Sequence, residues 1–148
     1  MYSNFMKIAL ELAQKSADEF EVPVGAVIVK DEKILATGRN TQEKSCNALM
    51  HAEIIAINKA CKNLNSWRLF NCEIFVTLEP CSMCAGAIIN SRIKRLIFGA
   101  HNPKFGAVGS VVNLFDMSFN HKPEIISGVL EKESKKLLID FFHFCRNK

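Results

Sequence analysis

Two segments, His51-Ala52-Glu53 and Pro80-Cys81-Ser82-Met83-Cys84, carry most of the structural information in this sequence. One histidine and two cysteines in a C-x-x-C spacing supply three ligands for a tetrahedral zinc ion whose fourth position stays open. Glu53 follows the histidine by two residues, and a glutamate is suited to moving protons on a metal-bound water. The sequence therefore predicts one catalytic Zn²⁺ per chain, held by His51, Cys81 and Cys84.

The spacing of these residues constrains how the helices begin. Residues two apart on a helix point roughly 200° away from each other, so His51 and Glu53 can serve one site only in a first turn that faces the metal. Apolar side chains follow at helical intervals, at Ile54, Ile57, Cys61 and Leu64. Cys81 and Cys84 are neighbours on a helix surface, and Pro80 is a common first residue of a helix. We therefore predict two helix N-termini at the metal, which would lower the pKa of the thiols.

A C-x-x-C pair also occurs in redox proteins and in structural zinc sites. A thioredoxin-like redox pair would leave His51 and Glu53 without a role. A structural zinc site needs a fourth cysteine or histidine ligand, and none stands at metal-ligand spacing from the first three. An open, catalytic zinc site is the interpretation that uses the whole pattern.

The composition indicates one globular domain. The chain has 148 residues, of which 49% are hydrophobic, and no charge block, low-complexity segment or repeat suggests a linker, so we expect one domain over residues 1–148. No apolar run is long enough to span a bilayer, and residues 1–7 do not resemble a secretory signal. Since ligand thiols must stay reduced, we expect a cytoplasmic location. The net charge of +4 permits a nucleic-acid partner without requiring one.

The hydrophobic pattern predicts alternating helices and strands. We expect an opening helix through about residue 17, strands at 22–29 and 34–38, a helix from His51, a strand at 74–76, a helix from Cys81, a strand at 96–98, a short strand at 124–127 and a closing helix after Leu130. The first two strands would form a hairpin and the later ones would join through helices. The predicted fold is α/β, a three-layer α/β/α sandwich around a mixed five-stranded sheet.

A few residues outside the metal motifs also carry expectations. Asn40 follows a strand and can reach a pocket from there, although an asparagine in a loop is more often a turn residue. The glycine-rich loop at 101–110 is the kind of segment in which binding residues tend to lie. Gly86 suggests close approach of another backbone. We expect His121 and His143 to be surface or packing residues, and four cysteines to be core or surface thiols: Cys46, Cys61, Cys72 and Cys145.

Taken together, the motifs resemble the cytidine deaminase-like superfamily and, within it, the bacterial tRNA-specific adenosine deaminases. The order H-x-E…P-C-x-x-C is the signature of the zinc nucleobase deaminases. The resemblance spans nearly the whole chain and includes residues 22–27, 38–40, 75–81, 85–87, 98–100 and 137–142. The metal motif alone is shared with cytosine, guanine and nucleotide deaminases. The Cys-x-Met-Cys-Ala-Gly-Ala stretch and the Gly-x-x-Gly-Ser loop favour the tRNA enzymes.

This resemblance implies a substrate and a mechanism. The substrate would be the adenosine at the first anticodon position, in the anticodon stem-loop of a tRNA, and the product inosine. Zinc would lower the pKa of its bound water from ~15.7 towards ~7, and the resulting hydroxide would attack C6 while Glu53 carries protons. The backbone N–H of Ala52 and the side chain of Asn40 would hold the base. The family works as a homodimer, with helices beside the two metal motifs at the interface.

Two alternatives stay open. One is a zinc-dependent deaminase of free bases or nucleotides, of the guanine or cytosine type, and the other is a catalytically silent relative that binds RNA. Glu53 speaks against a silent relative, because a binding module does not need a carboxylate beside an open zinc. Basic residues around the pocket mouth would speak against a small-molecule enzyme, and four candidates can serve that role, although solvation at the surface is their default: Arg92, Lys94, Arg95 and Lys104.

The loop at 101–110 contains one departure from the family pattern. The resemblance leads us to expect an aspartate where this chain has Asn102. An aspartate can accept a hydrogen bond from a ribose 2′-hydroxyl and repels nearby phosphates, whereas asparagine keeps the acceptor and lacks the charge. We therefore predict that Asn102 and Lys104 contact the substrate and that this chain discriminates less sharply against single-stranded DNA.

Overall fold

The computed structural model describes residues 2–147 of the chain. Its elements follow in the order α1 (Tyr2–Asp18), β1 (Gly25–Lys30), β2 (Lys33–Arg39), α2 (Ala52–Leu64), β3 (Cys72–Leu78), α3 (Ser82–Asn90), β4 (Arg95–Ala100), a 3₁₀ turn (Leu114–Asp116), β5 (Glu124–Ile126) and α4 (Glu131–Arg146). Met1 and Lys148, the two ends of the expected domain, lie outside the described residues. Among the described helices none is both long and apolar enough to cross a membrane.

The five strands form one mixed sheet in the order β2-β1-β3-β4-β5. Strand β1 runs antiparallel to both of its neighbours, β2 and β3, while β3, β4 and β5 run parallel. This confirms the predicted hairpin and the predicted five-stranded mixed sheet. Because β2, β3 and β4 point the same way, their carboxyl ends share one edge of the sheet, and the segments that follow them meet there.

Helices cover both faces of the sheet, as the sandwich prediction requires. Alternate strand residues point to opposite faces and so feed two separate cores. The core beneath α2 and α3 includes Ile28, Ile74, Leu96, Phe98 and Phe115. The core beneath α1 includes Met6, Ala9, Val27, Val29, Phe75 and Ile97. Each fully buried valine, leucine, isoleucine, methionine or phenylalanine side chain stabilises the fold by about 1.5–3 kcal/mol relative to an exposed one.

Two glycines allow helices to lie directly on the sheet. A Cβ atom at Gly25 would overlap the carbonyl oxygen of Ala9 in α1. A Cβ atom at Gly38 would overlap the carbonyl oxygen of Ala52 and lie 2.8 Å from the backbone nitrogen of Ala56, both in α2. The first turn of α2 is therefore pressed against the carboxyl end of β2, and this contact positions the residues around His51.

The structure corrects two details of the sequence prediction and adds a third. Strand β1 begins at Gly25 and not at residue 22, because Pro23 has no N–H for the ladder. The fully buried face of α2 consists of small residues and Glu53, with Ile57 and its apolar neighbours only partly buried, since close contact at Gly38 leaves no room for large side chains. A Cβ atom at Gly86 would meet no described atom within 4 Å, so the described residues do not supply the close backbone that was expected there.

The remaining cysteines and histidines lie where they were expected. Of the four cysteines outside the metal motifs, Cys72 is buried, Cys61 is partly buried, and Cys46 and Cys145 are exposed. Burial raises the pKa of the Cys72 thiol. His121 is a packing residue whose Nε2 lies 2.6 Å from the carbonyl oxygen of Ile93, and His143 is exposed.

Candidate metal and catalytic site

Two helix N-termini bring the predicted metal ligands together. His51 is the N-cap residue of α2, Cys81 is the N-cap residue of α3, and Cys84 lies in the first turn of α3. Both cap residues have extended backbone angles, so each side chain points past the end of its helix. The prediction that both helices start at the site is confirmed, although α3 begins at Ser82 and Pro80 precedes it by two residues.

The spacing of the ligand atoms fits a zinc ion. Nδ1 of His51 lies 3.6 Å from Sγ of Cys81 and 3.6 Å from Sγ of Cys84. Bond lengths of about 2.0–2.1 Å for Zn–N and about 2.3 Å for Zn–S place nitrogen and sulfur about 3.5–3.6 Å apart at the tetrahedral angle. All the ligand atoms of these three residues lie within 4.8 Å of one another. A histidine with two thiolates is also the donor set that zinc prefers.

The two thiols differ in their readiness to ionise. A hydrogen bond from Cys84, helped by one from His51, lowers the pKa of Cys81 to about 4, although burial opposes this. The pKa of Cys84 is raised, because Cys84 keeps the proton that it donates to Cys81 and because it is buried. The hydrogen bond to Cys81 raises the pKa of His51 as well. A divalent cation between these groups would favour the deprotonated form of both sulfurs.

Glu53 occupies the second position of α2, beside the ligand cluster. Its side chain is 4% exposed, which is unusual for a carboxylate that has no lysine or arginine as an ion-pair partner among the described residues. Burial raises the pKa of Glu53 to about 7. A carboxyl group that titrates near neutral pH can both take up and return a proton. The geometry and the pKa therefore suit the predicted role as a proton carrier.

Asn40 and Ala52 lie at the same edge of the sheet as the ligands. The Asn40 side chain is buried, with Nδ2 donating to the carbonyl oxygen of Val22 and Oδ1 accepting from the backbone N–H of Gln42, both at 3.1 Å. These bonds give Asn40 a structural role, and its contact with a substrate stays a prediction. Ala52 is the first residue of α2, so its backbone N–H has no acceptor inside the helix.

The loop at 101–110 follows β4 and packs beside the turn that carries Cys81. The backbone N–H of Ala107 donates to the carbonyl oxygen of Pro80 at 2.8 Å. Within this loop Asn102 accepts a hydrogen bond from the backbone N–H of Phe105 at 3.3 Å, and Lys104 is exposed. The structure thus places the two predicted substrate contacts in a segment that borders the site.

Three of the four basic residues proposed for the pocket mouth lie elsewhere. Arg92, Lys94 and Arg95 are at the amino end of β4, whereas the site follows its carboxyl end. A strand of six residues separates the two ends by roughly 17–20 Å. Arg95 instead pairs with Glu73 and Glu124. These three residues therefore do not line the site, because the direction of β4 places them at the opposite end of the sheet.

Sequence reasoning assigned no role to two residues that border the site. Phe105 is 69% exposed at the loop tip, although phenylalanine is usually buried. Glu79 is 1% exposed and lies two residues before Cys81. Burial raises the pKa of Glu79, but hydrogen bonds from the Ser110 hydroxyl and from the backbone N–H groups of Asn102, Val108 and Ser110 outweigh this and leave the pKa below its ordinary value. The sequence did contain a signal for Glu79, because a glutamate that directly follows an apolar strand is placed to be buried with hydrogen-bond partners.

Known proteins are similar to this chain in sequence and in fold. The sequence profile of the MafB19-like deaminase family matches residues 2–144. The tRNA-specific adenosine deaminase of Bacillus subtilis is 44% identical over 97% of this chain and 90% of its own length. That of Haemophilus influenzae is 49% identical over 93% of this chain and 80% of its own length.

A solved structure is similar to this chain in its fold. It belongs to a study of A-to-I editing by tRNA:A34 deaminases at the wobble position of transfer RNA, and it superposes with a TM-score of 0.89 at 43% identity. The match covers 91% of this chain and 99% of the other. The fold, the ligand cluster and these similarities agree, and the chain belongs to the MafB19-like deaminases and, among them, to the tRNA-specific adenosine deaminases.

Proposed function

We propose that this protein is a zinc-dependent deaminase that converts adenosine to inosine at the wobble position of tRNA. The observation that carries the proposal is the burial of Glu53 beside a histidine and two cysteines at zinc-ligand spacing, in a chain of this family. A buried carboxylate without a cationic side-chain partner costs stability, so its retention beside a metal-type cluster favours catalysis over mere RNA binding.

One zinc ion per chain is the cofactor that the ligand set supports. His51, Cys81 and Cys84 would hold it, and the fourth position would face the substrate. When bound, zinc supplies Lewis acidity, which makes water a competent nucleophile near neutral pH.

The chain's own residues account for the proton movements of the reaction. Hydrolytic deamination consumes adenosine and water and releases inosine and ammonia, so one proton must leave the attacking water and one must reach the departing amino group. Glu53 lies beside the ligand cluster and can take the first proton, pass it to a ring nitrogen, and deliver a proton to the amine as the C6–N bond breaks. Its burial excludes bulk water from this transfer.

The substrate would be held from two sides of the site. We propose that the backbone N–H of Ala52 and the amide of Asn40 bind the base on the α2 side. Asn102 and Lys104 would contact the flanking nucleotides from the loop at 101–110, with Lys104 contributing charge towards phosphate. An enzyme that acts on a base extrudes it from the stack, and a site at the exposed edge of a sheet is accessible to an anticodon loop.

We also propose that the protein acts as a homodimer in the cytoplasm. Gly86 lies in the middle of α3, where glycine is about 1 kcal/mol less favourable than alanine, yet no described atom of this chain lies near the position of a Cβ there. Close packing against a second copy would explain a glycine at this position. The cytoplasmic location would keep the ligand thiols reduced.

The decisive experiment is to incubate the purified protein with total bacterial tRNA and to sequence the product for A-to-I changes. We expect conversion at the wobble position, its absence with the Glu53→Ala protein, and weaker RNA binding as salt is raised. Free guanine, cytosine and adenosine serve as competing substrates in the same assay. Efficient deamination of free guanine or cytosine with untouched tRNA would favour the small-molecule alternative instead.

A further inference from the structure

Glu79 connects the turn that carries Cys81 to the loop at 101–110. It follows directly after β3, and its side chain is fully enclosed. Its own backbone N–H donates to the carbonyl oxygen of Ala100, at the end of β4, at 2.8 Å. The residue therefore sits where the two parallel strands β3 and β4 release their following segments.

Both oxygens of the Glu79 carboxylate accept hydrogen bonds from the loop. Oε1 accepts from the backbone N–H of Asn102 at 3.1 Å and from the hydroxyl of Ser110. Oε2 accepts from the backbone N–H groups of Val108 and Ser110, each at 3.1 Å. Nδ1 of His101 also lies near the carboxylate, 3.4 Å from Oε1. One carboxylate thus collects donors from the beginning, the middle and the end of the loop.

The packing around this carboxylate is tight on the loop side. A Cβ atom at Gly106 would overlap the Glu79 carboxylate and lie 2.6 Å from the carbonyl oxygen of Asn102. The loop is folded around the carboxylate, and most of its bonds to Glu79 come from the main chain. These bonds fix where the loop backbone runs and do not involve the side chains that point outwards.

The outward side chains are the ones that would meet a nucleic acid. Lys104 and Phe105 are both exposed at the loop tip, Phe105 to 69%. A lysine beside an exposed aromatic ring is a combination that binds phosphate and stacks on a base. Their direction depends on the turn between Asn102 and Phe105, and the backbone N–H of Asn102 is bound to Glu79.

We propose that Glu79 is a positioning residue, which holds the loop at 101–110 beside the metal centre in the arrangement that receives the RNA. The inference rests on the proposed function for the identity of the substrate. It assigns Glu79 no part in metal binding or proton transfer, so the loss of the carboxylate should weaken substrate binding and leave zinc in place.

The test is the Glu79→Gln variant, studied as the full chain with its metal. A glutamine turns an NH₂ group towards loop N–H groups that need acceptors, so at least two of the hydrogen bonds are lost. We expect a full zinc content, a KM for an anticodon hairpin raised about tenfold or more, and a kcat that changes little. Hydrogen exchange measured by NMR without substrate should show lost protection of the amides of Asn102, Val108 and Ser110.

Two further variants make every outcome informative. Glu73→Gln is the matched control, because Glu73 is a partly buried glutamate at the other end of β3, paired with Arg95, and it should change neither KM nor loop exchange. Ser110→Ala removes one donor and should give a smaller change in the same direction, which decides the matter if Glu79→Gln does not fold. The proposal would be overturned if Glu79→Gln kept the KM or the amide protection of the parent protein, or if it lost zinc. If Glu79→Gln loses amide protection but even the parent protein does not deaminate RNA, the proposed function is refuted and the role of Glu79 in holding the loop stands.

Discussion

His51 and Cys84 belong to different helices, yet Nδ1 of the first lies 3.6 Å from Sγ of the second. His51 reaches the site from the start of α2, which packs on β2, and Cys84 reaches it from α3, which follows β3. The start of α2 supplies only the histidine, and the start of α3 supplies only the cysteines. Bound metal would therefore report on whether both helices are docked against the sheet.

Replacing Cys84 by serine should remove zinc and activity together. A serine hydroxyl is a much poorer zinc ligand than a thiolate, and only two strong ligands would remain. Metal analysis of the purified Cys84→Ser protein is the measurement. Cys46→Ser is the control, because Cys46 is exposed and outside the cluster, and it should keep close to one zinc per chain. A full zinc complement in Cys84→Ser would disprove the ligand assignment.

Replacing Glu53 by alanine or glutamine should leave zinc bound and abolish turnover. Loss of a general acid/base typically lowers the rate by ~10²–10⁴-fold, and a residue that serves several proton transfers should reach the upper end or exceed it. The measurements are zinc content and single-turnover deamination of an RNA hairpin. Near-normal turnover by a folded, zinc-loaded Glu53→Gln protein would show that another group moves the protons.

Replacing Gly38 by alanine should weaken zinc binding although Gly38 is not a ligand. The added Cβ would collide with the first turn of α2 and push the start of that helix, and with it His51, away from the sheet. Overpacking of this kind costs about 1–3 kcal/mol of stability. The check is a zinc competition titration alongside thermal unfolding, with Thr37→Ala on the same strand as the control. Equal zinc affinity in Gly38→Ala and the parent would mean that the helix adjusts without moving the ligand.

Replacing Gly86 by alanine should stabilise α3 and weaken association between two copies of the chain. Within one chain the added methyl group meets no described atom, so helix propensity alone should stabilise the fold by about 1 kcal/mol. If a second copy packs closely against α3, the same methyl group should weaken the dimer. Sedimentation over a range of concentrations, compared with unfolding at low concentration, measures both effects. A stabilised protein with unchanged association would place the dimer contact elsewhere.

Replacing Asn102 by aspartate should sharpen the preference for RNA over DNA. The side-chain oxygen that accepts from the backbone N–H of Phe105 is kept, so the turn should persist while a negative charge is added. That charge repels phosphate, and only a ribose 2′-hydroxyl can offset the repulsion by donating to it. The measurement is the deamination rate of matched RNA and DNA hairpins. An unchanged ratio of the two rates would remove Asn102 from substrate discrimination.

Local patterns in the sequence were sufficient to predict that His51, Cys81 and Cys84 lie together. The short spacings His51 to Glu53 and Cys81 to Cys84 only make chemical sense at helix starts, and both helices begin there. The mixed sheet was predictable for a similar reason, since a polar break after β1 requires a hairpin and the intervening helices require parallel strands.

Long-range relationships were beyond the reach of the sequence alone. Glu79 meets Asn102 and Ser110 across 23 and 31 residues, and no local pattern signals a contact at that separation. Arg95 was misplaced because its position depends on the direction of β4 in the assembled sheet. The small size of the buried residues of α2 was equally unpredictable, because it follows from contact with Gly38, which lies on a different element.

The main-chain character of the bonds to Glu79 has a consequence for how this protein can change. Since backbone N–H groups hold the loop, the identities of residues 104 and 105 are nearly irrelevant to its shape, and their side chains are exposed. Substitutions there can therefore alter recognition while the ligand cluster and Glu53 stay unchanged. A library randomised at these two positions should consist mostly of folded, metal-loaded proteins that differ in which nucleic acids they accept.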